Sequence, residues 1–226
     1  MVFQTAYGKM RILLKGEIED MIKAILFDFG GVIAEEGFRE GLKALARQQG
    51  LDESQIFQAG MDAVYESGWV KGRGSEHNFW QIMAQKTGLR GDPEVMREAI
   101  LERFRIRPAM LALVDNLRRR GYLVGLLSDQ TEWLDELDRR HGIYSHFDKL
   151  YISYRLGKGK RSSSLFQELT HDLDLLPEQI LFIDDSPDNI QRAREFGWQG
   201  IVFTDEDTLS DQLRKLGVEV DTSMAP

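Results

Sequence analysis

The chain has no cysteine and only five prolines among its 226 residues. Without cysteine it forms no disulfide, uses no thiolate nucleophile and holds no Cys-ligated zinc or iron–sulfur cluster, and a reducing cytoplasm is the expected compartment. It lacks a basic excess as well: 29 Lys and Arg stand against 37 Asp and Glu, a formal net charge of -8. Broad binding of nucleic acid or of an anionic membrane relies on a basic field, so neither partner is expected and any phosphate site must be local. No apolar run approaches the ~20 residues that a bilayer span needs. Lys9, Arg11, Lys15 and Glu17 break up the apolar stretch near the start, which argues against a signal peptide. Residues 1–20 carry no motif and are expected to be an extension, with the functional chain starting at Met21. His77, His141, His146 and His171 show no metal-ligand spacing.

What is present is a repeated pattern of apolar runs that end in carboxylates. Ala24-Ile25-Leu26-Phe27 delivers Asp28 to the Phe29-Gly30-Gly31 turn, and Ile180-Leu181-Phe182-Ile183 delivers Asp184 and Asp185 to Ser186-Pro187-Asp188-Asn189. A carboxylate at the carboxyl end of a buried parallel strand is placed to attack a ligand or to hold a metal. If the two strand ends are neighbours, three acids converge and repel one another unless a divalent cation relieves them. The plainer alternative is that each Asp caps the helix after it.

Further apolar runs at 122–127, 149–153 and 199–203 alternate with amphipathic segments, such as a helix from about Thr131 stopped by Gly142 and one from Pro187 stopped by Gly197. This alternation predicts an α/β fold, a doubly wound, Rossmann-like parallel sheet. From 38 to 107 no strand is predicted. Asp52 and Asp92-Pro93 read instead as helix starts, so this stretch is expected to be a helical cap domain inserted into a core of 21–37 and 108–217, followed by a tail over 218–226. Residues near Phe38 and near Arg107-Pro108 would be its two tethers.

Two more features fall at strand or loop ends. Leu123-Val124-Gly125-Leu126-Leu127-Ser128-Asp129 ends a strand in a hydroxyl that can donate to an anionic oxygen, and Gly157-Lys158-Gly159-Lys160-Arg161 supplies cations to an acidic chain. Asp28-Phe29-Gly30 lacks the companions of a kinase metal motif, the lysine run does not satisfy the P-loop pattern, and the double glycine lacks the third glycine of a dinucleotide fingerprint.

Carboxylate, helical insertion, Ser, Lys and acidic pair, in that order, resemble the haloacid dehalogenase superfamily in its helical-cap branch, over about residues 21–217. The resemblance implies Asp28 as nucleophile, Ser128 as phosphate-binding hydroxyl and Lys160 as catalytic lysine, with Lys158 as rival. It implies Mg²⁺ held by Asp28, the Gly30 carbonyl, Asp185, Asp184 and Asn189. Gly31, Asp129, Lys158, Trp69 and Arg73 are the expected substrate contacts. Most phosphatases of this family carry a second Asp, a general acid and base, where this chain has Gly30. The branch resembling sugar-phosphate (glucose-1-phosphate) phosphatases also has glycine there. Glu35 or Glu36, just after the turn, could stand in for the acid or could be plain solvated residues.

The function expected is hydrolysis of a small phosphorylated metabolite, a sugar phosphate by this resemblance, through an aspartyl-phosphate. The alternatives are 2-haloacid dehalogenation on the same fold, which the paired acids disfavour, and a non-catalytic binding member.

Overall fold

The computed structural model describes residues 22–220. The expected extension over 1–20, the start at Met21 and residues 221–226 of the expected tail lie outside them. Five strands, β1 (Ala24–Phe27), β2 (Leu123–Ser128), β3 (Lys149–Ile152), β4 (Ile180–Asp184) and β5 (Gln199–Val202), form one parallel sheet in the order β3-β2-β1-β4-β5. All five fall where the apolar runs predict them, within two residues at either end.

The sheet is covered on both faces because successive side chains alternate. Ile25 and Phe27 of β1 join Val124, Leu126, Leu181 and Ile183 in one buried cluster, whereas Ala24 and Leu26 join Leu127, Ile180 and Phe182 in the other. Helices α5 (Pro108–Arg119), α6 (Trp133–His141) and α10 (Glu206–Lys215) contribute to the first cluster; α8 (Ser163–Leu173) and α9 (Pro187–Glu195) contribute to the second. A single turn, α7 (Ser153–Leu156), follows β3. Every residue of β1 is fully buried. Burying a Leu, Ile or Phe side chain is worth about 1.5–3 kcal/mol, so the strand that carries Asp28 is anchored by the packing around it.

Between β1 and α5 lie four helices: α1 (Gly37–Gln49), α2 (Glu53–Glu66), α3 (Glu76–Thr87) and α4 (Pro93–Leu101). As predicted, Asp52 caps α2 by accepting the Gln55 N–H, and Asp92 caps α4 with Pro93 in its first turn. The two connections to these helices run side by side. Ala34 bridges Ile106 in antiparallel fashion, the Glu35 N–H donates to the Arg105 carbonyl, and the Arg107 N–H donates to the Ile33 carbonyl.

Candidate active site

The sheet register brings the two acidic motifs together. Phe27 pairs with Ile183, so one step further Asp28 stands level with Asp184, and the Asp28 N–H donates to the Ile183 carbonyl. Ser128, the last residue of β2, arrives from the other side of β1. Neither acid is a helix cap: a turn follows Asp28, and the N-cap of α9 is Ser186.

Asp28 Oδ1 accepts the Ser128 hydroxyl and its neighbour's Phe29 N–H, each at 2.7 Å, and Oδ2 lies 2.7 Å from Lys160 Nζ. The same ammonium lies 2.6 Å from Asp184 Oδ2. Lys160 is 2% exposed and Asp184 fully buried. Burial alone would lower the Lys160 pKa, but the charges of Asp184, Asp28 and Asp129 outweigh it and raise the pKa, so the side chain stays an ammonium. For Asp28, burial pushes the pKa up while Lys160 pulls against it. Asp184 is held further by the Ser186 N–H at 2.8 Å and by the Asn189 amide at 3.1 Å. A cavity of about 250 Å³ opens above this cluster, lined by Asp28, Gly30, Ser128, Lys160 and Asp185 from the sheet side and by Arg39, Phe57, Met61 and Tyr65 from α1 and α2.

The haloacid dehalogenase-like hydrolase family model matches residues 22–197. The chain belongs to the haloacid dehalogenase-like hydrolases. Among curated relatives it is similar to the D-ribitol-5-phosphate phosphatase of Bacteroides thetaiotaomicron, 27% identical over 191 residues, which span 79% of this chain and 90% of that one. A solved HAD-like family hydrolase of Porphyromonas gingivalis superposes with a TM-score of 0.67 at 27% identity, covering 88% of this chain and all of that one. A family enzyme of B. thetaiotaomicron, solved with magnesium and inorganic phosphate, superposes with a TM-score of 0.64 at 24% identity over 83% of this chain and 98% of that one, a likeness of fold.

In this family member the donor set fits a hard divalent cation. Carboxylate oxygens of Asp28, Asp184 and Asp185 all lie within 4.8 Å of one another. Oxygen-only donors of high negative charge suit Mg²⁺. Asp185 is the acid with room to bind: it lines the cavity, and burial followed by the Asp184 charge raises its pKa, a sign of charge that lacks full compensation. Gly31 has φ +83°, and a Cβ there would collide with the Asp185 carboxylate. Asn189, expected as a ligand, uses its amide on Asp184 and accepts from Arg192 at 2.9 Å, so it positions Asp184.

Of the expected substrate contacts, Lys158 is excluded from the cavity: it bonds Ser164 at 3.2 Å and Glu168 at 2.5 Å. Gly31 does not line the cavity either; its role is backbone shape. Arg73 is exposed and points its guanidinium past Gly157 outside the cavity wall. Asp129 lines the cavity with its carboxylate engaged, accepting the Lys160 N–H at 2.9 Å and the Tyr65 hydroxyl at 2.7 Å. Trp69 is buried and gives its indole N–H to Glu132.

Among the lining residues that the sequence pattern does not single out as site residues are Arg39, Tyr65, Gln130 and Arg161. Arg161, stacked 4.0 Å from the Tyr65 ring centroid, stands next to Lys160 in the basic run, and that adjacency is its sequence signal. Tyr65 carries none, because only the folded chain brings α2 to Asp129. Glu36 also lines the cavity, whereas Glu35 is exposed.

Proposed function

We propose that this hydrolase is a phosphatase that cleaves the phosphate monoester of a small metabolite through an aspartyl-phosphate on Asp28. One observation carries the reading: the Asp28 carboxylate sits at the floor of a cavity, tied to a hydroxyl and to a buried ammonium that are both suited to phosphoryl oxygens. The similarity to a phosphatase of a phosphorylated sugar alcohol supports the same substrate class.

An Asp28 oxygen attacks phosphorus, the phosphorus–oxygen bond to the alcohol breaks, and a water then releases phosphate and restores the carboxylate. Like charge on carboxylate and phosphate opposes that attack, and Lys160 offsets it from a fixed position. Ser128, now donating to Asp28, can donate to a phosphoryl oxygen from the same rotor. Bound Mg²⁺ would supply charge neutralisation at the acid cluster. Glu36 is the chain's own group for the alcohol proton: its pKa is raised, chiefly by burial and against the pull of Arg39, so it keeps a proton to higher pH than an ordinary glutamate. The helices within 38–107 act as a cap, with the paired connections at 33–35 and 105–107 as hinge and Tyr65 meeting Asp129 and Arg161 as the closing contact. A sugar phosphate lies within this substrate class.

The test is hydrolysis of p-nitrophenyl phosphate with and without Mg²⁺, together with borohydride trapping of the acyl phosphate. Labelling at Asp28 with Mg²⁺-dependent turnover is the expected result; turnover of 2-chloropropionate without Mg²⁺ would replace this reading with dehalogenation.

A further inference from the structure

Asp129 follows Ser128 at the end of β2, and its two carboxylate oxygens serve different parts of the chain. Oδ1 accepts the Lys160 N–H at 2.9 Å, and Oδ2 accepts the hydroxyl of Tyr65, from the last turn of α2, at 2.7 Å. The lysine loop lies close against this carboxylate: a Cβ on Gly159 would stand 2.5 Å from Oδ1, so only glycine permits the approach. Arg161 returns to the same place, with its guanidinium 4.0 Å from the Tyr65 ring centroid. Three consecutive residues, Gly159, Lys160 and Arg161, thus rest on the pair formed by Asp129 and Tyr65.

The Tyr65 hydroxyl is a lasting donor in this pair. Burial, and then the Asp129 charge, raise its pKa, so it keeps its proton. That proton bears on Lys160, because the Asp129 charge acts on the same ammonium as the charges of Asp184 and Asp28. Lys160 Nζ lies 2.6 Å from Asp184 and 2.7 Å from Asp28. An untied Asp129 oxygen would compete for it, since Coulomb attraction is stronger away from bulk water. The Tyr65 hydroxyl ties that oxygen, while Oδ1 fixes the backbone from which the lysine side chain starts. A residue of the inserted helices thereby bears on the ammonium at the cavity floor through one carboxylate.

We propose that Tyr65 is a positioning residue for the reaction: by holding Asp129, its hydroxyl keeps the 157–162 loop in the arrangement that aims Lys160 at Asp28. This rests on the phosphatase reading, in which Lys160 offsets the like charge of carboxylate and phosphate. Tyr65 then acts through Asp129 and Lys160, and its effect is the same whatever alcohol the phosphate carries.

Tyr65→Phe keeps the ring and removes the hydroxyl. With saturating Mg²⁺, kcat/KM should fall about tenfold, by the same factor for methyl phosphate and for p-nitrophenyl phosphate. Inhibition by inorganic phosphate, which carries no alcohol, should weaken as well. In an Asp129→Ala background the same substitution should cost nothing further. A merely structural role would lower the melting temperature and leave kcat/KM and phosphate inhibition of the folded protein as they were, which would overturn the proposal. A loss confined to one ester would do so too, since it would mean direct contact with the alcohol, and so would a loss undiminished in Asp129→Ala. If Tyr65→Phe does not fold, Asp129→Ala and Asp129→Asn decide: alanine should lose turnover of both esters alike, and asparagine, which keeps an acceptor for the Lys160 N–H, should retain more of it. Wild-type turnover in Asp129→Ala sinks the assignment. Failure of the wild type to hydrolyse either ester would sink the phosphatase reading itself, an outcome distinct from turnover indifferent to Tyr65.

Discussion

A Cβ added to Gly30 would lie 3.0 Å from Oε1 of Glu36. The place where the family resemblance implies a second aspartate is thus occupied, in this chain, by a carboxylate that arrives from the N-cap of α1, where it accepts the Arg39 N–H at 3.3 Å. General acid help is worth ~10²–10⁴-fold, and a poor leaving group needs it most. Glu36→Gln should therefore lower kcat/KM by about that factor for alkyl phosphates and by much less for p-nitrophenyl phosphate, which leaves without a proton. A plot of rate against leaving-group acidity, shallow in the wild type and steep in Glu36→Gln, is the expected pair. Two parallel plots would remove Glu36 from proton transfer.

The raised pKa of Glu36 also makes a stability prediction. The folded state holds this proton more tightly than the unfolded chain does, so the stabilisation is fully present below the ordinary value of 4.5 and is lost as pH rises through the higher folded value. Melting temperature should fall over that window in the wild type and fall less in Glu36→Gln. A steeper fall in the variant would mean that the carboxyl is not held protonated by its surroundings.

The choice between two lysines shows where the sequence stops informing. Strand ends, helix caps at Asp52 and Asp92, and the meeting of Asp28 with Asp184 follow from local patterns and from the rule that parallel strands present their carboxyl ends together. Lys158 and Lys160 differ by two positions in one loop, and no local pattern separates them. The fold does: Gly157, at φ +74°, ends α7, and the Asp129 carboxylate fixes the Lys160 N–H so that its side chain turns inward. Glu35 and Glu36 pose the same problem, as does Tyr65, whose neighbours are contributed by distant parts of the chain. Asn189 shows the converse, a residue rightly placed in the site whose amide is spent on Asp184.

Lys160→Met and Lys158→Met should accordingly part company. Removing Lys160 leaves Asp28 and Asp184 buried without their common counter-charge, a change that costs about 3–5 kcal/mol in buried pairs, and it should abolish turnover. The Lys158 pair with Glu168 is at the surface and worth at most ~1 kcal/mol. Denaturant unfolding and kcat measured on both variants check this. A Lys158 variant that loses turnover while folding normally would reverse the assignment.

Asp28→Asn tests the nucleophile without disturbing the packing, since the amide is nearly the same size and Lys160 keeps Asp184 as partner. Turnover should drop by about three orders of magnitude or more, with the circular dichroism spectrum and the cooperativity of melting retained. Substantial residual hydrolysis, with no acyl phosphate trapped, would require water to attack phosphorus directly.

Metal binding should depend on Asp185 more than on Asp184, because the two acids have different occupations. Asp184 already accepts from Lys160, Ser186 and Asn189, so Asp184→Ala removes the anchor of a buried ion pair and should appear first as lost stability. Asp185 borders the cavity with its charge only partly offset by Lys160 and Arg39, so Asp185→Ala should appear first as lost affinity for Mg²⁺. A ligand that binds only the folded state at about 100 times its Kd adds roughly 2.7 kcal/mol. Saturating Mg²⁺ should therefore raise the wild-type melting temperature by several degrees, and the Asp185→Ala temperature hardly at all. Isothermal titration with Mg²⁺ alone measures the affinity independently of turnover. If Asp185→Ala binds Mg²⁺ as the wild type does, the cation is held elsewhere, and the raised pKa of Asp185 reflects burial beside Asp184 and nothing more.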